Sequence, residues 1–140
     1  LSVDHLEEIS QEDIDALKNS NCMPTVLPSC SHFLSIPYGQ ASRMMEAGLP
    51  VSLASDYNPG STPSGNLQFV WSLACVKMKM TPEEALNGLT INAAYVMGLS
   101  ETHGTISLGK KTPLILTKEI PSLAYIPYAF GDNHVERIIS

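Results

Sequence analysis

The run Val51-Ser52-Leu53-Ala54-Ser55-Asp56-Tyr57-Asn58-Pro59-Gly60-Ser61 decides how this chain is read. A short apolar stretch of strand type ends on a carboxylate, then breaks at once into Asn-Pro-Gly-Ser-Thr-Pro. In a β/α protein that junction is the C-terminal mouth of a strand, where active sites are assembled. Asp56 is then the last residue the strand holds rigidly. The turn behind it offers an amide side chain and open backbone N–H groups to a polar ligand. The plainer alternative is that Asp56 only makes an Asx-turn with its own loop, since Asp and Asn are ordinary turn residues.

Working outward, the pattern alternates strand, loop and helix. Leu1–His5 reads as the tail of a strand. Ser10 with Asp13 opens a helix carrying Ile14 and Leu17 on one face, ending near Asn19-Ser20. Met23–Leu27 is a second buried strand stopped by Pro28, followed by a polar loop. Gln40–Ala47 is a helix with Met44 and Met45 apolar and Gly48 as its stop. Val51–Ser55 is the third strand. Asn66–Met80 predicts a longer helix burying Leu67, Val70, Trp71, Ala74 and Met78 on one face. Thr81-Pro82-Glu83-Glu84 is a helix start, with Thr81 as N-cap, Pro82 at N1 and a capping-box Glu at N3. That helix buries Ala85, Leu86, Leu89 and Ala93 and stops near Gly98. Short buried strands spaced by helices predict a parallel β/α arrangement. From Gly104 the pattern changes to short strands and turns, including Leu114–Thr117, with Pro113 marking an edge or bulge, and a last strand at Val135–Ile139.

The composition narrows the function. An apolar fraction of 44% with 16% charged residues describes a packed interior and argues against disorder. A net charge of −6 without a Lys/Arg cluster argues against nucleic acid or an anionic membrane as partner. The apolar runs are too short to span a bilayer, and no basic segment precedes an apolar one in signal-peptide fashion. Cys22, Cys30 and Cys75 are spaced neither as a disulfide framework nor as a zinc knuckle, which fits a cytoplasmic setting. The chain opens with a strand already under way and closes inside a strand-like run, so both ends are expected to be cut from something longer.

The candidate chemistry gathers at strand ends. His5 ends the first strand as Asp56 ends the third, and two such ends of one parallel sheet open on one crevice. That layout suits a metal-activated water, or a general base with an orienting imidazole. The alternative for His5 is a local backbone contact. Two residues do not complete a catalytic metal site, which commonly takes three protein ligands, and the chain has no His-x-His or His-x-x-x-His. Glu7 and Glu8 read as a solvated loop face, His32 as a loop histidine near the mouth, and His103 and His134 carry no assigned chemistry. Ser55 and Ser61 lack nucleophile-elbow context. Gly60 and Gly65 do not form a phosphate loop, and the methionines read as core filler.

Three features together resemble the amidohydrolase superfamily: Ser2-Val3-Asp4-His5-Leu6, the Leu53–Ser61 run, and the Thr81-Pro82-Glu83-Glu84-Ala85 helix leading into Thr90-Ile91-Asn92-Ala93-Ala94. Within it, Ser55-Asp56-x-Asn58-Pro59-Gly60-Ser61 is similar to the signature of the imidazolonepropionase family. The resemblance covers nearly the whole chain but only the C-terminal third of a full-length enzyme. It implies an α/β fold: residues 1–103 as strands six to eight, with their helices, of a TIM-type (β/α)8 barrel, and residues 104–140 as part of a small β-sandwich domain. It implies Asp56 as metal ligand and proton acceptor, and His5 as the group stabilising charge on the attacked carbonyl. Asn58, Gly60 and Ser61 would hold the product. The metal would be one Zn or Fe ion, the substrate 4-imidazolone-5-propanoate, and the full-length enzyme a cytoplasmic homodimer.

The family's remaining ligands and substrate-gripping residues would lie upstream of Leu1, leaving the piece inactive alone. Glu8 does not match the family's strand-five glutamate. Lys111-Thr112-Pro113-Leu114 departs from the usual small residue and Asp, which touches strand geometry rather than chemistry. Two alternatives stand beside this reading: a piece of another amidohydrolase (a cyclic-amide hydrolase or aminohydrolase), or a non-catalytic truncated chain.

Overall fold

A computed structural model describes residues 1–111 and 113–139. Thr112, part of the Lys111–Leu114 departure, and Ser140 lie outside the described residues. Strands β1 (Ser2–Asp4), β2 (Met23–Val26) and β3 (Ser52–Leu53) form one parallel sheet in the order β1-β2-β3. Between β1 and β2 lies α1 (Gln11–Lys18), and between β2 and β3 lie α2 (Pro28–Leu34) and α3 (Ala41–Glu46). Helices α4 (Leu67–Met78), α5 (Pro82–Leu89) and α6 (Ile91–Val96) follow β3. A separate antiparallel pair, β4 (Leu114–Thr117) with β5 (Val135–Ile139), brackets the short α7 (Tyr125–Tyr128). The sheet is open: three strands are a mixed α/β arrangement, and no closed barrel is seen among the described residues.

Local chemistry explains the helix starts. Ser10 caps α1, its Oγ accepting from Asp13 N at 3.1 Å while Asp13 Oδ2 accepts from Ser10 N at 2.9 Å. Thr81 and Glu84 repeat this reciprocal box at α5, with Pro82 in the position where a missing N–H costs nothing. The same property of proline overturns one expectation. Pro28 does not merely stop β2; it sits at N1 of α2, so the expected polar loop begins as a helix. A second correction lies at Thr90, whose φ of −121° and ψ of −85° break the single expected helix into α5 and α6. The break changes the buried register, so Ala94 is buried and Ala93 only partly.

The core lies between the sheet and its helices. Central β2 is buried along its whole length, whereas β1, an edge, is largely exposed. Ile14, Val26, Met44, Val51, Leu53, Val70, Ala74 and Ala85 share one buried cluster, each large side chain contributing about 1.5–3 kcal/mol by leaving water. Helix α4 is covered by α2, α5 and α7. Its buried surface is therefore broader than one face: Leu73 and Ser72 are buried along with Val70, Trp71, Ala74 and Met78, while Leu67 at its open start is exposed. Trp71 Nε1 donates to Pro82 O at 3.1 Å, fixing α4 to the start of α5. Gly88 lets α5 press on β3: a Cβ there would lie 3.0 Å from Leu53 Cγ and 3.2 Å from Val51 O.

Beyond Gly104 the expected first strands do not form. Ile106 and Leu108 are exposed, and the segment turns around Lys110, whose Nζ donates to Ser100 O at 2.6 Å and His103 O at 3.2 Å. The expected strands at 114–117 and 135–139 do form, with a register shift between Leu116 and Thr117. All three cysteines are free.

Candidate active site at the strand exits

The parallel sheet sends its three C-terminal ends to one side, where His5 follows β1, Pro28-Ser29-Cys30 follow β2, and Ala54-Ser55-Asp56 follow β3. Non-glycine residues with positive φ are His5 (75°), Leu6 (67°), Ser35 (56°), Asp56 (54°) and Lys79 (60°). Ser35 and Lys79 are left-handed helix caps, an ordinary use of that conformation. His5, Leu6 and Asp56 are not caps. They leave strands, and left-handed backbone at such residues costs on the order of 1–3 kcal/mol each and gathers at functional sites.

Asp56 sits in a net of donors. Ser61 Oγ donates to Asp56 Oδ2 at 2.6 Å, and Asn58 Nδ2 lies 3.0 Å from Asp56 Oδ1 and 2.8 Å from Asp56 O. The Asn58 amide also reaches Ser61 Oγ at 2.6 Å, and its Oδ1 accepts from Gly60 N and Ser61 N, both at 2.9 Å. Asn58 and Thr62 close the loop with backbone bonds of 3.0 and 3.2 Å. An amide has two donors and one acceptor oxygen, so Asn58 is fully engaged. The Asx-turn alternative is thus part of the observed geometry, and the turn is folded around the carboxylate rather than away from it.

This net holds the Asp56 carboxyl below its ordinary value. The Ser61 hydroxyl is the largest cause; burial opposes it; the Cys30 thiol, the His5 charge and the Asn58 amide add to the lowering. Burial pushes the Cys30 thiol up, and the neighbouring Asp56 carboxylate pushes it further. Asp56 is therefore an anion at neutral pH, placed at the exit of β3. A carboxylate offers about four lone-pair directions, and Ser61 and Asn58 occupy one on each oxygen.

The His5 ring is half exposed, its Nδ1 3.3 Å from Glu7 Oε1, and Nε2 has no partner among the described residues. Glu7 is thus drawn to the site rather than left as a solvated face. His32 lies on α2, not in a loop, with its ring edge-on to Phe69 at 5.3 Å. His134 is buried against Ala129 O at 3.1 Å, and His103 meets Thr102 Oγ1 at 2.7 Å; both are locally satisfied. Among the described residues, no three His, Cys, Asp or Glu side chains gather as a metal-binding group. No described helix is long and apolar enough to cross a membrane. Reading the sequence missed Cys30 and Ser29 at the mouth. The available signal was Pro28 directly after a strand, which could have marked a helix N-terminus there.

Comparison with known proteins gives this geometry its relatives. The model of the amidohydrolase family matches residues 5–139. The chain belongs to the amidohydrolase family. This amidohydrolase chain is 64% identical over 139 residues to the imidazolonepropionase of Flavobacterium johnsoniae, covering 99% of itself and 34% of that protein. It is 60% identical over 138 residues to the imidazolonepropionase of Christiangramia forsetii, again covering 99% of itself and 34% of the relative. The chain thus spans about a third of the length of the curated relatives it matches. A zinc-bound adenosine deaminase from Xanthomonas campestris superposes with a TM-score of 0.88 at 16% identity, over 99% of this chain and 35% of that one. At that identity the likeness is one of fold: this amidohydrolase chain has a mixed α/β fold that matches part of the larger structure.

Proposed function

We propose that the chain is the C-terminal part of an imidazolonepropionase, which opens the ring of 4-imidazolone-5-propanoate with water to give N-formimidoyl-L-glutamate. The observation that carries this is the 64% identity across 99% of the chain, including the Ser55–Ser61 loop that folds around Asp56. Residues 1–103 then supply strands six to eight of a (β/α)8 barrel, and 104–140 part of a small β domain. The open edges of β1 and β3 are where further strands would pair.

A Zn or Fe ion fits this site as a shared guest. Asp56 is ionised, half-buried and retains open lone pairs, so it suits one ligand position, and the other ligands would come from outside this chain. When bound, the metal polarises the ring carbonyl and makes its water more acidic. Asp56 takes the proton of the attacking water. It then delivers that proton to the ring nitrogen as the carbonyl C–N bond breaks. His5, with its free Nε2, faces the carbonyl oxygen and stabilises the charge that builds there. Asn58, Gly60 and Ser61 hold the ring-opened product: a product carboxylate takes over the Gly60 and Ser61 N–H groups that now point at Asn58 Oδ1.

Such an enzyme works as a cytoplasmic homodimer on a small-molecule substrate. The test is turnover of 4-imidazolone-5-propanoate by the full-length protein. Absence of that activity, or preference for an adenosine- or guanine-type substrate, would overturn the reading in favour of another amidohydrolase.

A further inference from the structure

The crossover that follows β2 touches the exits of both neighbouring strands. At its start, Ser29 is 4% exposed and its Oγ donates to the Ser55 carbonyl at 2.9 Å. That carbonyl belongs to the peptide leading into Asp56. At its end, Gly39 is buried so tightly that an added Cβ would lie 2.9 Å from His5 O and 2.8 Å from Val26 Cγ1. Next to it, Gln40 Nε2 donates to Glu7 O at 3.3 Å. Arg43 orients that amide: its Nη1 donates to Gln40 Oε1 at 3.0 Å and to Ile9 O at 3.1 Å.

We propose that this crossover is the positioning element of the site, with Ser29 setting Asp56 and Gly39 with Gln40 setting His5. The local loops do only part of this work. Asn58 and Ser61 grip the Asp56 side chain from ahead, Asn58 Nδ2 also holds the Asp56 carbonyl at 2.8 Å, and Glu7 meets only the His5 ring. Neither loop grips the peptide that enters Asp56 or the left-handed backbone at 5–6. β1 and β3 share no hydrogen bond, because β2 lies between them. The spacing of His5 and Asp56 therefore runs through β2, which pairs with both strands, and through the crossover that continues from it and touches both exits. Strained backbone persists only where its surroundings over-determine it, and these contacts supply that restraint.

The inference rests on the reading of His5 and Asp56 as the reacting pair, so the experiment has two arms. In the full-length enzyme, Ser29→Ala and Gln40→Ala should each lower kcat about tenfold, as sub-ångström misplacement does. KM should stay within about twofold, and metal content should be unchanged. Ser29→Thr, which keeps the hydroxyl, should restore kcat. In crystal structures, Gln40→Ala should move the His5–Leu6 backbone out of its left-handed conformation and Ser29→Ala should shift Asp56. If the parent does not hydrolyse 4-imidazolone-5-propanoate, the functional reading fails and the crystallographic arm alone judges the positioning. Unmoved backbones at both exits, or a lowered Tm with unchanged kcat, would overturn the proposal. Should Ser29→Ala not fold, the half-buried Gln40 carries both arms.

Discussion

Replacing Asp56 by Asn in the full-length parent separates chemistry from architecture. The amide is nearly isosteric with the carboxylate, and the structure shows what each oxygen loses. At Oδ1 an amide oxygen still accepts from Asn58; at Oδ2 an amide nitrogen can donate to Ser61 Oγ, which must then give up its own donation. Two charge-assisted bonds become neutral ones. Hydrogen bonds to charged groups contribute about 1.5–3 kcal/mol against about 0.5–1.5 for neutral ones. The half-buried setting favours the low end, so stability should fall by about 1–2 kcal/mol, a lowering of Tm by a few degrees. Activity should fall much further. Losing a general base costs about 10²–10⁴ in rate, or about 3–5 kcal/mol of barrier, and a metal ligand goes with it. Steady-state kinetics, metal content by elemental analysis and a thermal melt on the same preparation measure all three. Near-normal turnover with a full complement of metal would refute the reasoning and leave Asp56 a turn residue.

Gly88→Ala should destabilise the parent by up to about 2 kcal/mol, because an overpacked methyl against Val51 O costs about 1–3 kcal/mol against roughly 1 kcal/mol gained in helix propensity; denaturant titration showing a gain would contradict the close contact. Cys75, pushed up to about 11 by burial and then by Glu83 and Glu84, should alkylate at a rate that keeps rising through about pH 10, and a plateau below that would count against it. Its folded value lies above the ordinary 9.0, so the neutral thiol is favoured in the fold and stability should be lost as pH rises from about 9 towards 11. The 140-residue chain alone with added Zn²⁺ should show no turnover of 4-imidazolone-5-propanoate, since no metal-binding group of three forms among the described residues; measurable hydrolysis would sink this. The same chain should self-associate through the free edges of β1 and β3 and the exposed Leu67, Val76 and Tyr95, which a sharp monomer peak in size-exclusion chromatography would disprove.

Much of the fold was legible because its signals are local. The capping boxes at Ser10 and Thr81 lie within four residues and behave as read. The strand ending before Asp56 was marked by the change from Val-Ser-Leu-Ala to Asn-Pro-Gly. Proline was the ambiguous letter: Pro28 both ends a strand and starts a helix. Ile106 and Leu108 resemble strand residues, yet no partner strand comes alongside them among the described residues, so they stay exposed. The candidate site was legible as His5 and Asp56 but not as a geometry. The grips on their exits join residues 26 and 33 positions apart, and such pairs leave no periodic trace. Left-handed φ at His5 and Leu6 has no sequence marker at all.

The strand order β1-β2-β3, with β4 beside β5, has a consequence for how the molecule is made. Every described strand pairs with its nearest neighbour along the chain, so β2, β3 and β5 each meet a partner made before them. At about 5–20 residues per second, synthesis is slow beside such local closures. Gly39 and Gln40 emerge after β2 but before β3. The exit that carries His5 can therefore be gripped while Asp56 is still inside the ribosome. When that carboxylate appears, it arrives opposite a histidine already in place.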